Sequence, residues 1–316
     1  MMKRLILLIS LLTGPVCSMC SEGASGGYEP APSAPSEPSD PEEPSDPEAP
    51  LAEGELRADG NTAGTYALMT SCGYNYETPD TSGAHAEAPF QHIQQSYDEA
   101  LGKYVFDFYI HVENDDDRGK PNITDRQRNE IKTDAKSPES MVARQGEELV
   151  LRWKFRLPEG MQTTKNFCHV HQIKGIDNSE ASADVANPLI TFTARTLSNG
   201  KQELQVIYVG PTSAATGNVY LARVPLSDFL GEWVEVEEHV VCDTKGSYKV
   251  TVRRISDGKE LISVSESSRD LWRDGAAGMR PKWGIYRSIG SNGSLKSELR
   301  DEILHFADFS VGKVRR

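Results

Sequence analysis

The stretch Leu149-Val150-Leu151-Arg152-Trp153-Lys154-Phe155-Arg156-Leu157 carries an apolar side chain at every odd position and a cation at three of the four positions between. Successive side chains of a strand point to opposite faces, so this period of two lays the odd positions against a core and sends Arg152, Lys154 and Arg156 to water. A helix would wind the same residues around its whole circumference. Runs of similar character recur at 104–112, 167–174, 189–195, 204–209, 233–241, 248–255, 283–287 and 304–311. Turn residues divide them, among them Pro158-Glu159-Gly160, Ser198-Asn199-Gly200 and Asp257-Gly258. Helical pieces are expected only around 226–230 and 268–272. The pattern predicts an all-β body, residues 64–316, built as a two-sheet antiparallel β-sandwich of the jelly-roll, concanavalin-like kind. No repeat of fixed period accompanies it, which argues against a propeller or solenoid.

The head of the chain reads differently. Lys3-Arg4 precede a short apolar run, the signature of a secretory signal over residues 1–20. Cys17 and Cys20 follow that run, and a cysteine there resembles the lipid-attachment site of bacterial lipoproteins; ordinary secretion is the alternative, and either cysteine could take the lipid. Residues 29–50 hold eight prolines and seven acidic residues with no large apolar side chain. Such a segment cannot bury enough surface to offset its ordering entropy, so residues 21–63 are expected to be a disordered, extended tether. The expected location is outside the cytoplasm, as an outer-membrane or cell-surface lipoprotein or otherwise periplasmic or secreted.

The formal net charge is −13 over 316 residues. Residues 1–53 contain two basic and nine acidic residues, a net of −7, which leaves −6 for the rest. Nucleic-acid capture requires a basic face whose cations displace counterions, and the average charge argues against it. Cysteine usage beyond the head is limited to Cys72, Cys168 and Cys242. That allows one disulfide with one free thiol, or three reduced thiols.

Chemistry-bearing residues fall on three strands. Arg126-Gln127-Arg128-Asn129-Glu130-Ile131-Lys132 places Arg126, Arg128, Glu130 and Lys132 on one face. This is either a solvated outer face or an anion-binding strand on which Glu130 orients an arginine fork. Phe167-Cys168-His169-Val170-His171-Gln172-Ile173-Lys174-Gly175 sends His169 and His171 to one side and Gln172 and Lys174 to the other, so a bulge is needed for His171 and Gln172 to act together. A metal at the His-x-His pair lacks an evident third ligand, and structural histidines are the plainer alternative. Arg280-Pro281-Lys282-Trp283-Gly284-Ile285-Tyr286-Arg287 puts Lys282, Gly284 and Tyr286 on one face, where the missing side chain leaves a hollow for a sugar ring or merely relieves packing.

In their order along the chain, Arg128-Asn129-Glu130-Ile131-Lys132, Gln172-Ile173-Lys174 and Lys282-Trp283-Gly284-Ile285-Tyr286 resemble the three groove-lining strands of the β-jelly-roll polysaccharide lyases. These include family seven alginate lyases, glucuronan lyases and heparin lyase I. The closing segment 301–309 resembles the last strand of such folds. Lys174 stands where the alginate lyases carry a histidine.

The resemblance implies β-elimination on a uronic acid, which must neutralise the carboxylate, take the C5 proton and protonate the O4 leaving group. It assigns Arg128 and Gln172 to the carboxylate and Tyr286 to O4 and C5, with Lys282 and Arg287 as cations that favour the phenolate. His171 or His169 is the second acid/base group and His111 the third choice. Lys132, Lys174 and Lys282 would hold flanking acidic sugars. Neither a catalytic metal nor an organic cofactor is expected, although the acidic loop 113–119 is a candidate for structural Ca²⁺. The expected partner is an acidic polysaccharide of the alginate, glucuronan or glycosaminoglycan class, met by a monomer that touches membrane only through its lipid. A non-catalytic carbohydrate-binding sandwich would use exposed aromatics such as Trp233, Trp272 and Trp283. A glycoside hydrolase would need two flanking carboxylates, and the Glu-x-Asp-x-x-Glu strand of one such family does not occur in the chain.

Overall fold

A computed structural model describes residues 51–120, 122–177, 185–210 and 217–314. The expected signal, Cys17, Cys20 and the expected tether up to residue 50 lie outside them. The chain builds strands β1 (Glu55–Leu56), β2 (Asn75–Glu77), β3 (Ile93–Asp98), β4 (Lys103–Ile110), β5 (Arg126–Lys132), β6 (Glu148–Arg156), β7 (Cys168–Ile176) and β8 (Ile190–Thr196). Then follow β9 (Gln202–Val209), β10 (Asn218–Pro225), β11 (Val234–Val241), β12 (Gly246–Arg254), β13 (Glu260–Arg269), β14 (Gly278–Ser288) and β15 (Glu302–Lys313). One sheet has the order β13-β12-β11-β6-β15-β4-β3 with β1 also beside β15, and the other has the order β10-β9-β8-β7-β14-β5-β2. All these strand pairings are antiparallel, so the sandwich expected from the alternation is the fold.

Strand β6 shows why. Leu149, Leu151, Trp153 and Phe155 are buried while Arg152 is exposed. Trp153 meets Phe306 of its own sheet at 6.1 Å between ring centroids, and Phe192 and Trp283 of the opposite sheet at 5.6 and 6.4 Å. Burying such side chains contributes about 1.5–3 kcal/mol each. A carboxylate sits among them: Glu238 of β11 accepts from Trp153 Nε1 at 3.1 Å and Tyr248 Oη at 2.7 Å.

Several expectations change. Leu56 is fully buried and β1 pairs with Phe309 and Ser310, so part of the stretch assigned to the tether belongs to the body. Residues 268–272 are not helical: β13 runs to Arg269, and Leu271 and Trp272 then plug into the core. A short helix, α1 (Thr65–Ser71), and strands β2, β3, β10 and β13 extend the pattern. Cys72, Cys168 and Cys242 are all free thiols.

Candidate active site

The seven-stranded sheet sets β7, β14 and β5 side by side, and its register brings the three motif strands together. Tyr286 lies opposite Arg128, Gly284 opposite Glu130 and Lys282 opposite Lys132. On the other flank Lys282 faces Gln172 and Tyr286 faces His169, with a register shift between Trp283 and Tyr286. Gly284 has φ +138°, and a Cβ there would stand 2.2 Å from the Asn129 carbonyl oxygen. The glycine therefore lets the β5 backbone approach and does not leave a hollow for a sugar.

A second irregularity decides which histidine joins the site. Between β7 and β8, His169 pairs with Thr193 and His171 with Phe192, so β7 carries an extra residue at Val170. Simple alternation would keep both histidines on one face; the bulge separates them. His171 is fully buried with its ring 5.1 Å from Trp153 and 5.4 Å from Trp283, and its Nε2 is 3.2 Å from Glu238 Oε1. It is a core residue and not an acid/base group in the groove, which corrects the sequence assignment. His169 is half-buried beside Tyr286, with 5.8 Å between ring centroids, and its Nδ1 lies 2.8 Å from Thr193 Oγ1.

Tyr286 is framed by cations. The Arg126 terminal nitrogen donates to its phenol oxygen at 2.7 Å, and the Arg128 guanidinium lies 3.6 Å from the ring centroid. Burial raises the phenol above its ordinary value, and the two arginines oppose without reversing it. Burial, reinforced by Arg195, Arg128 and Lys282, pushes the His169 imidazole down to about 3 against the opposing Glu130. At neutral pH the pair is thus a protonated phenol and a neutral imidazole: one donor of a proton and one acceptor.

Beneath this pair lies a charge network. Arg128 donates from Nε to Asp117 at 2.6 Å and from one terminal nitrogen to Glu130 at 2.7 Å and Glu77 at 3.3 Å. Lys282 Nζ reaches Glu130 at 2.5 Å and Glu77 at 2.6 Å, Lys132 reaches Glu77 at 2.9 Å, and Gln172 donates to Glu130. Burial opposes the ionised carboxylates of Glu77 and Glu130, but Lys282 and Arg128 outweigh it and hold both below their ordinary range. Gln172, Glu130, Lys282 and Lys132 are therefore first a scaffold under the site. Lys174 is half-buried and donates to Ala186 O at 2.7 Å; burial and the nearby Lys282 and Arg280 push its ammonium down to about 7.

Two expected residues stand elsewhere. Arg287 is buried on the opposite face, bonded to Gln127 Oε1 at 3.0 Å and Arg300 O at 2.8 Å, because its parity along β14 is odd relative to Tyr286. His111 packs against Phe90 and His92, at 5.0 and 5.3 Å between centroids, and faces Asp115. The acidic loop does not converge on one cation: Asp115 turns to histidines, Asp116 accepts from Ser82 Oγ and Gly119 N, and Asp117 holds Arg128. Among the described residues, the group that could hold a metal is instead His85, His92, His111 and Asp115. Burial also pushes the Cys168 thiol up to about 12, which leaves it inert.

Glu77 and Arg195 complete the arrangement without having been assigned roles from the sequence, while Arg126 was read on the anion-binding face and Asp117 in the acidic loop. Glu77 ends a three-residue strand with no periodicity to mark it. Arg195 shares the parity of Thr191 and Thr193, a signal that was present, and among the described residues it pairs with no carboxylate. A depression of about 530 Å³ lies on the outer face of the other sheet among Lys103, Lys154, Arg253 and Asp308. No histidine or tyrosine lines it, so the proton-transfer groups mark the site better than cavity size does.

No protein-family model and no curated protein matches the chain. Among solved structures it is similar to a family 7 alginate lyase in complex with product, at 15% identity and TM-score 0.50 over 76% of this chain and 95% of that one. An alginate lyase from Pseudomonas aeruginosa gives 15% identity and TM-score 0.49, covering 76% and 98% of the two chains. An endo-β-1,4-glucuronan lyase from the fungus Trichoderma reesei gives 14% and 0.47, covering 75% and 94%. At these identities the likeness speaks to architecture alone: the body is a β-jelly roll of the kind found in a family 7 alginate lyase.

Proposed function

We propose that the chain is a polysaccharide lyase that cleaves a uronate-containing polymer by β-elimination. The observation that carries the reading is the Tyr286 phenol, fixed at 2.7 Å by Arg126 and stacked on Arg128, beside the neutral ring of His169. Elimination builds negative charge on the uronate carboxylate as the C5 proton leaves, so fixed cations lower the barrier. Arg195 would meet that carboxylate, while Arg126, held by both oxygens of Asp125, keeps the Tyr286 phenol in place; the carboxylate's arrival raises the basicity of His169. His169 then takes the C5 proton while Tyr286 gives its proton to O4; the C4–O4 bond breaks and a C4–C5 double bond forms. Lys174 extends the cationic face toward a neighbouring acidic sugar. The signal and tether would hold this domain outside the cytoplasm, where such polymers are met.

The test is a panel of alginate, glucuronan and glycosaminoglycans followed by the ultraviolet absorbance of the unsaturated end. Product is expected from at least one polymer, and Tyr286→Phe should abolish it with the fold retained. Reducing ends without that absorbance would instead mean hydrolysis, and saturable binding without products a carbohydrate-binding module.

A further inference from the structure

We infer that His85, His92, His111 and Asp115 form a structural site for a divalent transition-metal ion of the zinc class. His85 ends a short 3₁₀ turn, His92 leads into β3, His111 follows β4 and Asp115 opens the next loop. Their ligand atoms all lie within 4.8 Å of one another, and the carboxylate, His85 and His92 are buried. Three nitrogens face one oxygen: Asp115 Oδ1 is 2.9 Å from His85 Nε2, 3.0 Å from His92 Nε2 and 3.4 Å from His111 Nδ1. The ring centroids stand 4.8, 5.3 and 5.8 Å apart. Imidazoles bound at ~2.0–2.1 Å around a tetrahedral ion place their centroids roughly 5 Å apart. The rings already have that spacing.

Proton bookkeeping points the same way. His92 Nδ1 is 3.0 Å from Asp80 Oδ1 and 3.0 Å from the Phe90 carbonyl oxygen, both acceptors only, so Nδ1 carries the proton. Nε2 is then the ring nitrogen that faces Asp115 Oδ1, at 3.0 Å, and the one a metal would take. A carboxylate behind a ligating histidine is also the usual support of a metal-bound imidazole. Three imidazoles and one carboxylate saturate a tetrahedral ion, which makes the site structural, and the nitrogen-rich donor set disfavours calcium and magnesium. The consequence reaches the groove. Gln127 Nε2 donates to the carbonyls of His111, Val112 and Asp115 from within, and Asp117, two residues past the ligand, holds Arg128 Nε at 2.6 Å. A metal at Asp115 would pin from outside the loop that positions Arg128.

The chain, stripped with a chelator, should take up about one Zn²⁺ by elemental analysis and calorimetry, and its Tm should rise by several degrees on reloading. Co²⁺ should give the intense visible bands of a four-coordinate ion. His111→Asn, at the half-exposed ligand, and Asp80→Asn, behind His92, should each weaken binding roughly 10–100-fold in chains whose near-ultraviolet circular dichroism is native. Failure of the wild-type chain to bind Zn²⁺ at micromolar concentration, a Tm indifferent to the metal, or binding untouched by both variants would overturn the assignment. The wild-type titration and Co²⁺ spectrum do not depend on either variant folding.

Discussion

Substituting the two histidines of β7 one at a time separates chemistry from packing. His169→Asn removes the proton acceptor but leaves a half-buried polar side chain whose main partner is Thr193 Oγ1 at 2.8 Å. One such hydrogen bond contributes about 1 kcal/mol, so Tm should fall by only a few degrees. A positioned acid/base group is worth ~10²–10⁴ in rate, so kcat should drop by that factor, about 3–5 kcal/mol of barrier. His171→Ala should do the reverse. It empties a fully buried site between Trp153, Phe192 and Trp283 and deprives Glu238 of a partner 3.2 Å away. Cavity formation and loss of a buried partner together cost about 3–5 kcal/mol, a fall in Tm on the order of 10 °C. The molecules that remain folded should turn over within about threefold of the parent, since nothing at Tyr286 has moved. The measurement is kcat on the polymer that yields unsaturated product, normalised to the folded fraction, with a thermal melt of each variant. An inactive His171→Ala with the parental Tm, or a His169→Asn that keeps its kcat, would refute the assignment of faces across the bulge.

Arg195→Gln should cut kcat/KM by ~10–100-fold, the loss of one charge-assisted hydrogen bond to the carboxylate, with Tm unchanged because no protein carboxylate pairs with it among the described residues. Glu77→Gln should cost about 3–5 kcal/mol by denaturant titration, because Lys282, Lys132, Arg128 and Arg118 lose a shared buried counter-charge. Since the folded Glu77 is held below its unfolded value of ~4.3, its stabilisation is present above that pH and lost as pH falls, and the variant should flatten this part of the acid limb; an unchanged limb counts against the network. If Lys174 grips a flanking uronate, KM should rise as pH passes upward through about 7, where its ammonium discharges, and Lys174→Met should remove that rise.

The parts of the fold legible in the sequence are those where one face alone is buried. Strand β6 is half-buried along its length, so its alternation survives in the structure, whereas β13 has Ile262 and Val264 on its core side, Leu261 partly buried beside them and otherwise serine or charge, too little alternation to mark a strand. The three motif strands were legible as a set, and the register places them side by side. What the spacing could not deliver was parity. Counting by twos put His169 and His171 together with Gln172 on the other face, but an extra residue at Val170 turns one histidine to the core and the other to Tyr286. The opposing strand needs its own irregularity at Gly284, where φ is +138° and only a hydrogen fits against the β5 backbone. A glycine inside a motif strand was thus the one local sign that parity there was unsafe; Val170 gave none, because a bulge is a property of the pair of strands and not of the residue. The same limit explains Glu77 and the histidine cluster. Glu77 matters because β2 docks beside β5, and His85, His92 and Asp115 come from turns and strand ends that carry no period. Residue type and spacing identify the chemistry a strand can offer, while the face on which it is offered is settled only by the partner strand.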